Sequence, residues 1–143
     1  MSVKEACAKV LSDCLALRPG EVILIVRDLW ETLHLHEAFV AATQAAGAVP
    51  IVLSIPRAQN SAEVPLPVHV AIECADAILV CTPWIFPHDL RRKAVEAGAR
   101  LLSLCGVTDD ILERCGSVDY ARLAEVTRWV ASAFSLASTL AII

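Results

Sequence analysis

The chain has 143 residues, of which 12 are Lys or Arg and 16 are Asp or Glu, for a net charge of −4; 57% of its residues are hydrophobic. That apolar content, a mean hydropathy of +0.61 and scattered Pro and Gly exclude a disordered or collagen-like chain. The acidic balance offers no basic footprint for nucleic acid, and the length suits one domain.

Val3, Ala6, Cys7, Val10, Leu11, Cys14 and Leu15 recur at helical spacing behind Ser2 and Glu5, which read as a capping box. A turn at residues 18–21 leads into the β-branched and aliphatic run 22–26, a central strand. Asp28, with Glu31 three residues on, can cap a second helix whose stripe is Leu35, Ala38, Phe39, Ala42, Ala45 and Ala46; Gly47 suits its C′ position. Residues 49–55 read as a strand with Pro50 at its start, and 56–67 as a polar loop. A helix over 67–74 precedes a strand over 77–81. The loop 82–88 precedes a helix over 89–97, closed by Gly98. Residues 101–104 form the fourth strand, and Thr108 caps a short helix ending at Gly116. From Asp119 a long helix carries Tyr120, Leu123, Ala124, Thr127, Val130, Ala131 and Phe134 on one face, and residues 140–143 begin a fifth strand.

Strands alternating with helices at this spacing predict a mostly parallel sheet covered on both faces. The expected fold is α/β: a single three-layer α/β/α domain of flavodoxin-like character with four to five strands. It spans residues 1–138, and 139–143 start a fifth or connecting strand that is cut short. Strands buried on both faces need continuous apolar runs, which accounts for the composition without a membrane. The uncharged stretch 129–143 is shorter than the about 20 apolar residues of a spanning helix. Lys4, Glu5, Lys9 and Asp13 occupy the place of a signal peptide, so a cytoplasmic location is expected. The six cysteines, with Cys7/Cys14 and Cys74/Cys81 each seven apart, match neither zinc nor redox spacing and read as reduced small hydrophobes.

In such a sheet ligands bind beyond the carboxyl ends of the strands, where the strand order switches. Residues 27–30, 54–57, 82–88 and 105–108 arrive there, and no glycine-rich phosphate loop follows the first strand. His34 and His36, two apart on a helix, point away from each other and do not share an ion. His69 lacks a ligand set. Asp28 is the best single polar candidate, as a helix cap or as a catalytic group. The run 91–93 is a solvated basic face or an anion site. Trp30, Trp84 and Phe86, with His88 at the end of the same loop, form a candidate cleft or interface; the aromatics either cover the sheet end as core or present a surface to another domain or subunit.

Arg18-Pro19-Gly20-Glu21 and the strand after it, with Asp28, Glu31 and Thr32, resemble the opening of the aminopeptidase T-type metallopeptidases, the thermophilic or leucyl aminopeptidases. Ala45-Ala46-Gly47-Ala48, Ile55-Pro56, Ala75-Asp76-Ala77, Ala97-Gly98-Ala99-Arg100-Leu101, Gly106-Val107-Thr108-Asp109-Asp110-Ile111-Leu112 and Val118-Asp119-Tyr120 continue the likeness in order. The resemblance implies the N-terminal domain of such an enzyme. The family's divalent metal pair is held by carboxylate, histidine and tyrosine ligands in its C-terminal half, and none of those ligands has a counterpart here. The resemblance therefore implies no cofactor in this chain and no catalysis by it alone. Trp84-Ile85-Phe86-Pro87-His88-Asp89 departs from the family's polar loop with its His-Thr pair. Related non-haem iron dioxygenases of dihydroxypyridine share the architecture and are the alternative. A free-standing binding or oligomerisation module is the third reading. The expected partner is a second copy or the missing C-terminal domain.

Overall fold

A computed structural model describes residues 1–30, 35–136 and 139. The first helix, α1 (Val3–Lys9), starts as the sequence predicts. The Ser2 hydroxyl accepts from the Glu5 amide at 3.4 Å, and the Glu5 carboxylate accepts from the Ser2 amide at 2.8 Å. From Val10 to Cys14 the helix widens into a π turn, and Ala16, at φ 46°, ends it. The strand β1 (Val22–Asp28) runs two residues further than the apolar run suggests. There follow α2 (Leu35–Ala45), β2 (Val49–Ile55), a 3-10 turn (Ser61–Glu63), α3 (Leu66–Cys74), β3 (Ala77–Cys81), α4 (His88–Glu96), β4 (Arg100–Ser103), α5 (Asp109–Gly116) and α6 (Tyr120–Ser135).

The four strands lie in the order β2-β1-β3-β4, and every neighbouring pair is parallel. Strand alternation splits the core in two. Leu24, Val26, Ile78 and Val80 pack with Val68 and Ile72 of α3 and with Leu90 and Ala94 of α4. Ile23, Ile25, Ala77 and Leu79 pack on the other side with Ala6, Cys7 and Leu11 of the first helix, Phe39 of α2 and Leu112 of α5. Three layers result, and the buried two-sided strands β1 and β3 explain the apolar composition as expected. The fifth strand read at residues 140–143 lies outside the described residues.

The strand read at 49–55 forms with those bounds and takes the sheet edge, where Val49, Ile51 and Val52 keep between 39 and 51% of their surface exposed. An edge also tolerates Pro50, which sits opposite Ile23 without an amide to offer a further strand. The apolar stripe of α6 does not enter the core. No residue of α6 is buried; Leu123, Trp129 and Phe134 are more than half exposed. Among the described residues that face is covered only at its start, where Lys9 lies over the ring of the half-buried Tyr120.

The ends of the sheet are held by polar clasps. Asp76 Oδ2 accepts from the Val22 amide at 2.8 Å, binding the start of β1 to the entry of β3. Glu21 Oε2 accepts from the Arg18 amide at 2.8 Å and from Arg100 Nη2 at 2.5 Å. No helix among the described residues is long and apolar enough to cross a membrane.

Candidate functional site

The strand order reverses direction between β1 and β3: from β1 the chain goes outward to β2, then crosses back to β3. At such a switch point the loops leaving the two strands splay to opposite sides and leave a crevice at their carboxyl ends. β1 delivers Arg27 and Asp28 to this crevice. As consecutive strand residues they point to opposite faces.

Asp28 turns toward the α3/α4 face and is only 6% exposed. Its Oδ1 accepts from the Trp30 amide at 2.7 Å, and its Oδ2 accepts from the indole Nε1 of Trp84. Two N–H donors therefore satisfy a buried carboxylate. Leu29 and Trp30 form a turn, so Asp28 closes that turn and does not cap a helix beginning at Leu29. Glu31, its expected capping-box partner, lies outside the described residues.

The three aromatics separate. Trp84 and Phe86 are 7% and 0% exposed and fold back onto the core beside α3 and α4. Their rings stack at a centroid distance of 6.3 Å and an interplanar angle of 27°. The Thr82 hydroxyl donates to the Trp84 carbonyl at 2.6 Å and fixes the loop that carries them. Of the two readings of this trio, core is the correct one for Trp84 and Phe86. Trp30 stays 78% exposed. His88 is exposed as the first residue of α4 and lines neither of the two hollows at the sheet edge.

Over the crevice on this side opens a cleft of about 910 Å³. Trp84, Pro83 and Asp28 line it from the β1 and β3 ends, with Trp30 and Ile85 at its margin and Arg57, from the loop after β2, among its lining residues. Arg57 is a residue that the sequence reading passed over; the signal for it was its place among the segments arriving at the carboxyl edge.

Arg27 serves the opposite face. There it lines a small cavity of about 70 Å³ with His36, Cys81 and Thr82. Arg27 Nη1 lies 3.2 Å from His36 Nε2, and the guanidinium can only donate in that contact. His34 lies outside the described residues. Burial pushes the Cys81 thiol up to about 12, with the nearby Cys7 adding to the effect, which disfavours the thiolate form. Cys7 is pushed up to about 12 as well, again mainly by burial.

The other polar candidates have structural duties. His69 Nε2 donates to the Ser61 and Val64 carbonyls, each at 3.1 Å, and pins the loop before α3. Arg92 pairs with Glu96 at 3.8 Å on an exposed face of α4. The cysteines are all unpaired, but only Cys7 is fully buried; Cys14, Cys74 and Cys105 are exposed, contrary to the reading of all six as core hydrophobes. Among the described residues no three His, Cys, Asp or Glu side chains converge to hold a metal ion. The metal pair implied by the aminopeptidase resemblance therefore has no fitting ligand set among them.

The sheet order, the two-sided core and the crevice between β1 and β3 define a flavodoxin-like α/β/α domain with a cleft at its switch point. No protein-family model and no curated protein matches the sequence. Among solved structures, 2,5-dihydroxypyridine dioxygenase from Pseudomonas putida KT2440 is similar, with a TM-score of 0.60 and 13% identity over 72% of this chain. The match covers 33% of the dioxygenase, so this chain spans about a third of that protein. A benzoate CoA ligase from Burkholderia xenovorans LB400 aligns at a TM-score of 0.46 and 16% identity, over 81% of this chain and 22% of the ligase. At these identities the likeness to the dioxygenase shows the fold alone.

Proposed function

We propose that this chain is the α/β domain of a two-part metalloenzyme of the aminopeptidase T type, with the metal ions and the chemistry supplied by the other part. The observation that carries the reading is that the same fold recurs as about a third of a longer dioxygenase chain. The ordered run of motifs from residue 18 to residue 120 supports the aminopeptidase type within that architecture. In this reading the exposed apolar face of α6 and the Trp30 margin of the cleft meet the catalytic part or a second subunit, and the protein works in the cytoplasm.

A second reading, the corresponding domain of a dihydroxypyridine dioxygenase-like enzyme, is favoured by the same structural likeness. An assay of the purified chain with leucyl p-nitroanilide and added cobalt, zinc or magnesium tests the first reading: no hydrolysis is expected, and metal-dependent turnover overturns it. The reading frame beyond the Ile143 codon separates the two. A segment carrying carboxylate, histidine and tyrosine ligands supports the aminopeptidase type. A stop codon there, with no such segment in an adjacent frame, overturns both.

A further inference from the structure

The cleft over the β1/β3 crevice has a lining that the packing of the fold does not explain. Large apolar side chains left exposed on a concave surface mark contact with something else. Two such side chains meet here: Trp30, 78% exposed, and Ile85, 70% exposed, both lining the same cleft as the buried indole of Trp84. The volume of about 910 Å³ accommodates a small organic molecule with room to spare.

The charges choose the sign of the ligand. Asp28 is only 6% exposed and each of its oxygens already accepts from an N–H donor, which leaves Arg57 as the solvent-exposed charge of the cleft. Arg57 is exposed, lines the same cleft and forms no ion pair among the described residues. Its guanidinium presents a planar fork of donors, the geometry that a carboxylate fits with two parallel hydrogen bonds. Indole faces and an aliphatic margin favour a flat ring beside that group, because stacked aromatic contacts gain beyond the area they bury.

We propose that this cleft binds a planar aromatic carboxylate, its ring against Trp30, Ile85 and Trp84 and its carboxylate on Arg57. The site belongs to the domain whatever the enzyme around it.

Titration calorimetry of the full chain with 2-naphthoate, and with the uncharged 2-naphthalenemethanol, tests the assignment. Saturable one-site binding of naphthoate is expected in the millimolar range or tighter. Arg57→Gln weakens naphthoate by about tenfold and leaves the alcohol unchanged, as the loss of one charge-assisted pair requires. Trp30→Ala weakens both ligands by about tenfold, and Trp129→Ala, on the exposed face of α6, changes neither. All three side chains are at the surface, so the variants fold, which circular dichroism checks. The proposal fails if naphthoate shows no saturable binding, if Arg57→Gln or Trp30→Ala leaves its affinity unchanged, or if Trp129→Ala abolishes it.

Discussion

The indole N–H of Trp84 donates to the carboxylate of Asp28 across the crevice between β1 and β3, joining residues 56 apart in the chain. The bond closes the floor of the cleft. It ties the end of one central strand to the loop that leaves the other, while the second oxygen of Asp28 holds the turn at Trp30. One buried carboxylate therefore sets the positions of both tryptophans that line the cleft.

Removing that acceptor leaves two donors without a partner, one of them on a buried side chain. Asp28→Ala is expected to destabilise the fold by about 2–3 kcal/mol, and Asp28→Asn by less, because its amide oxygen still accepts. Urea unfolding followed by tryptophan fluorescence measures this. Equal midpoints for wild type and Asp28→Ala would show that the carboxylate does not hold the crevice.

Glu21 and Arg100 make stability depend on acid. The hydrogen bond from Arg100, reinforced by that from the Arg18 amide and by the charges of both arginines, holds the Glu21 carboxyl below the ordinary carboxylate range. A lowered folded value means that the unfolded chain binds the proton first. The contribution is therefore complete above the unfolded carboxyl's value, about 4.3, and is lost as pH falls through the lower folded value. Arg100→Gln is expected to raise the Glu21 titration midpoint and flatten the acid limb of the stability profile. Carboxyl-carbon NMR titration reads the first effect; an unmoved Glu21 midpoint contradicts the pairing.

Thiol labelling follows burial. Cys7 and Cys81 are held as thiols by their surroundings, whereas Cys74 and Cys105 stand exposed. Iodoacetamide at neutral pH should modify Cys74 and Cys105 in the native protein and reach Cys7 and Cys81 only on unfolding, as peptide mass spectrometry resolves. Early modification of Cys81 would make the small cavity beside Arg27 an open site.

Gly116 ends α5 where α5 meets the first helix. A β-carbon there would stand 2.7 Å from Ala6 Cβ and 2.6 Å from Met1 Sδ. Met1 can swing away; the helix backbone around Ala6, whose Cα would be 3.0 Å off, cannot do so freely. Gly116→Ala is expected to cost about 1–3 kcal/mol by overpacking, measurable as a lowered urea midpoint. A neutral or stabilising effect would show that the two helices separate without loss.

The unpacked α6 predicts association. Leu123→Glu with Phe134→Glu should leave the native circular dichroism unchanged, since neither side chain is buried. The same pair should convert a dimer or larger species into a monomer by light scattering. A wild-type chain that is monodisperse and monomeric at micromolar concentration contradicts this.

Much of this fold is written locally. The run 22–26 reads as a strand from its residue types alone, and the Ser2–Glu5 capping box and Gly47 at φ 75° form as their spacing predicts, because each depends on neighbours a few residues away. The placement of Asp28 at the carboxyl edge of the sheet was legible for the same reason. What Asp28 binds was not, since Trp84 arrives from 56 residues further on and could as well have faced outward. Periodicity shows that a stripe or run is apolar without saying what will cover it. The stripes of α2 and α6 look alike in sequence, yet Phe39 is fully buried and Phe134 is 54% exposed. The same holds for the strands: the apolar runs of β1 and β2 differ in burial because β2 takes the edge position, with a strand on one side only. The high hydrophobic content of the chain therefore has two sources, a sheet buried on both faces and an apolar surface left uncovered, and strand order together with helix docking separates them.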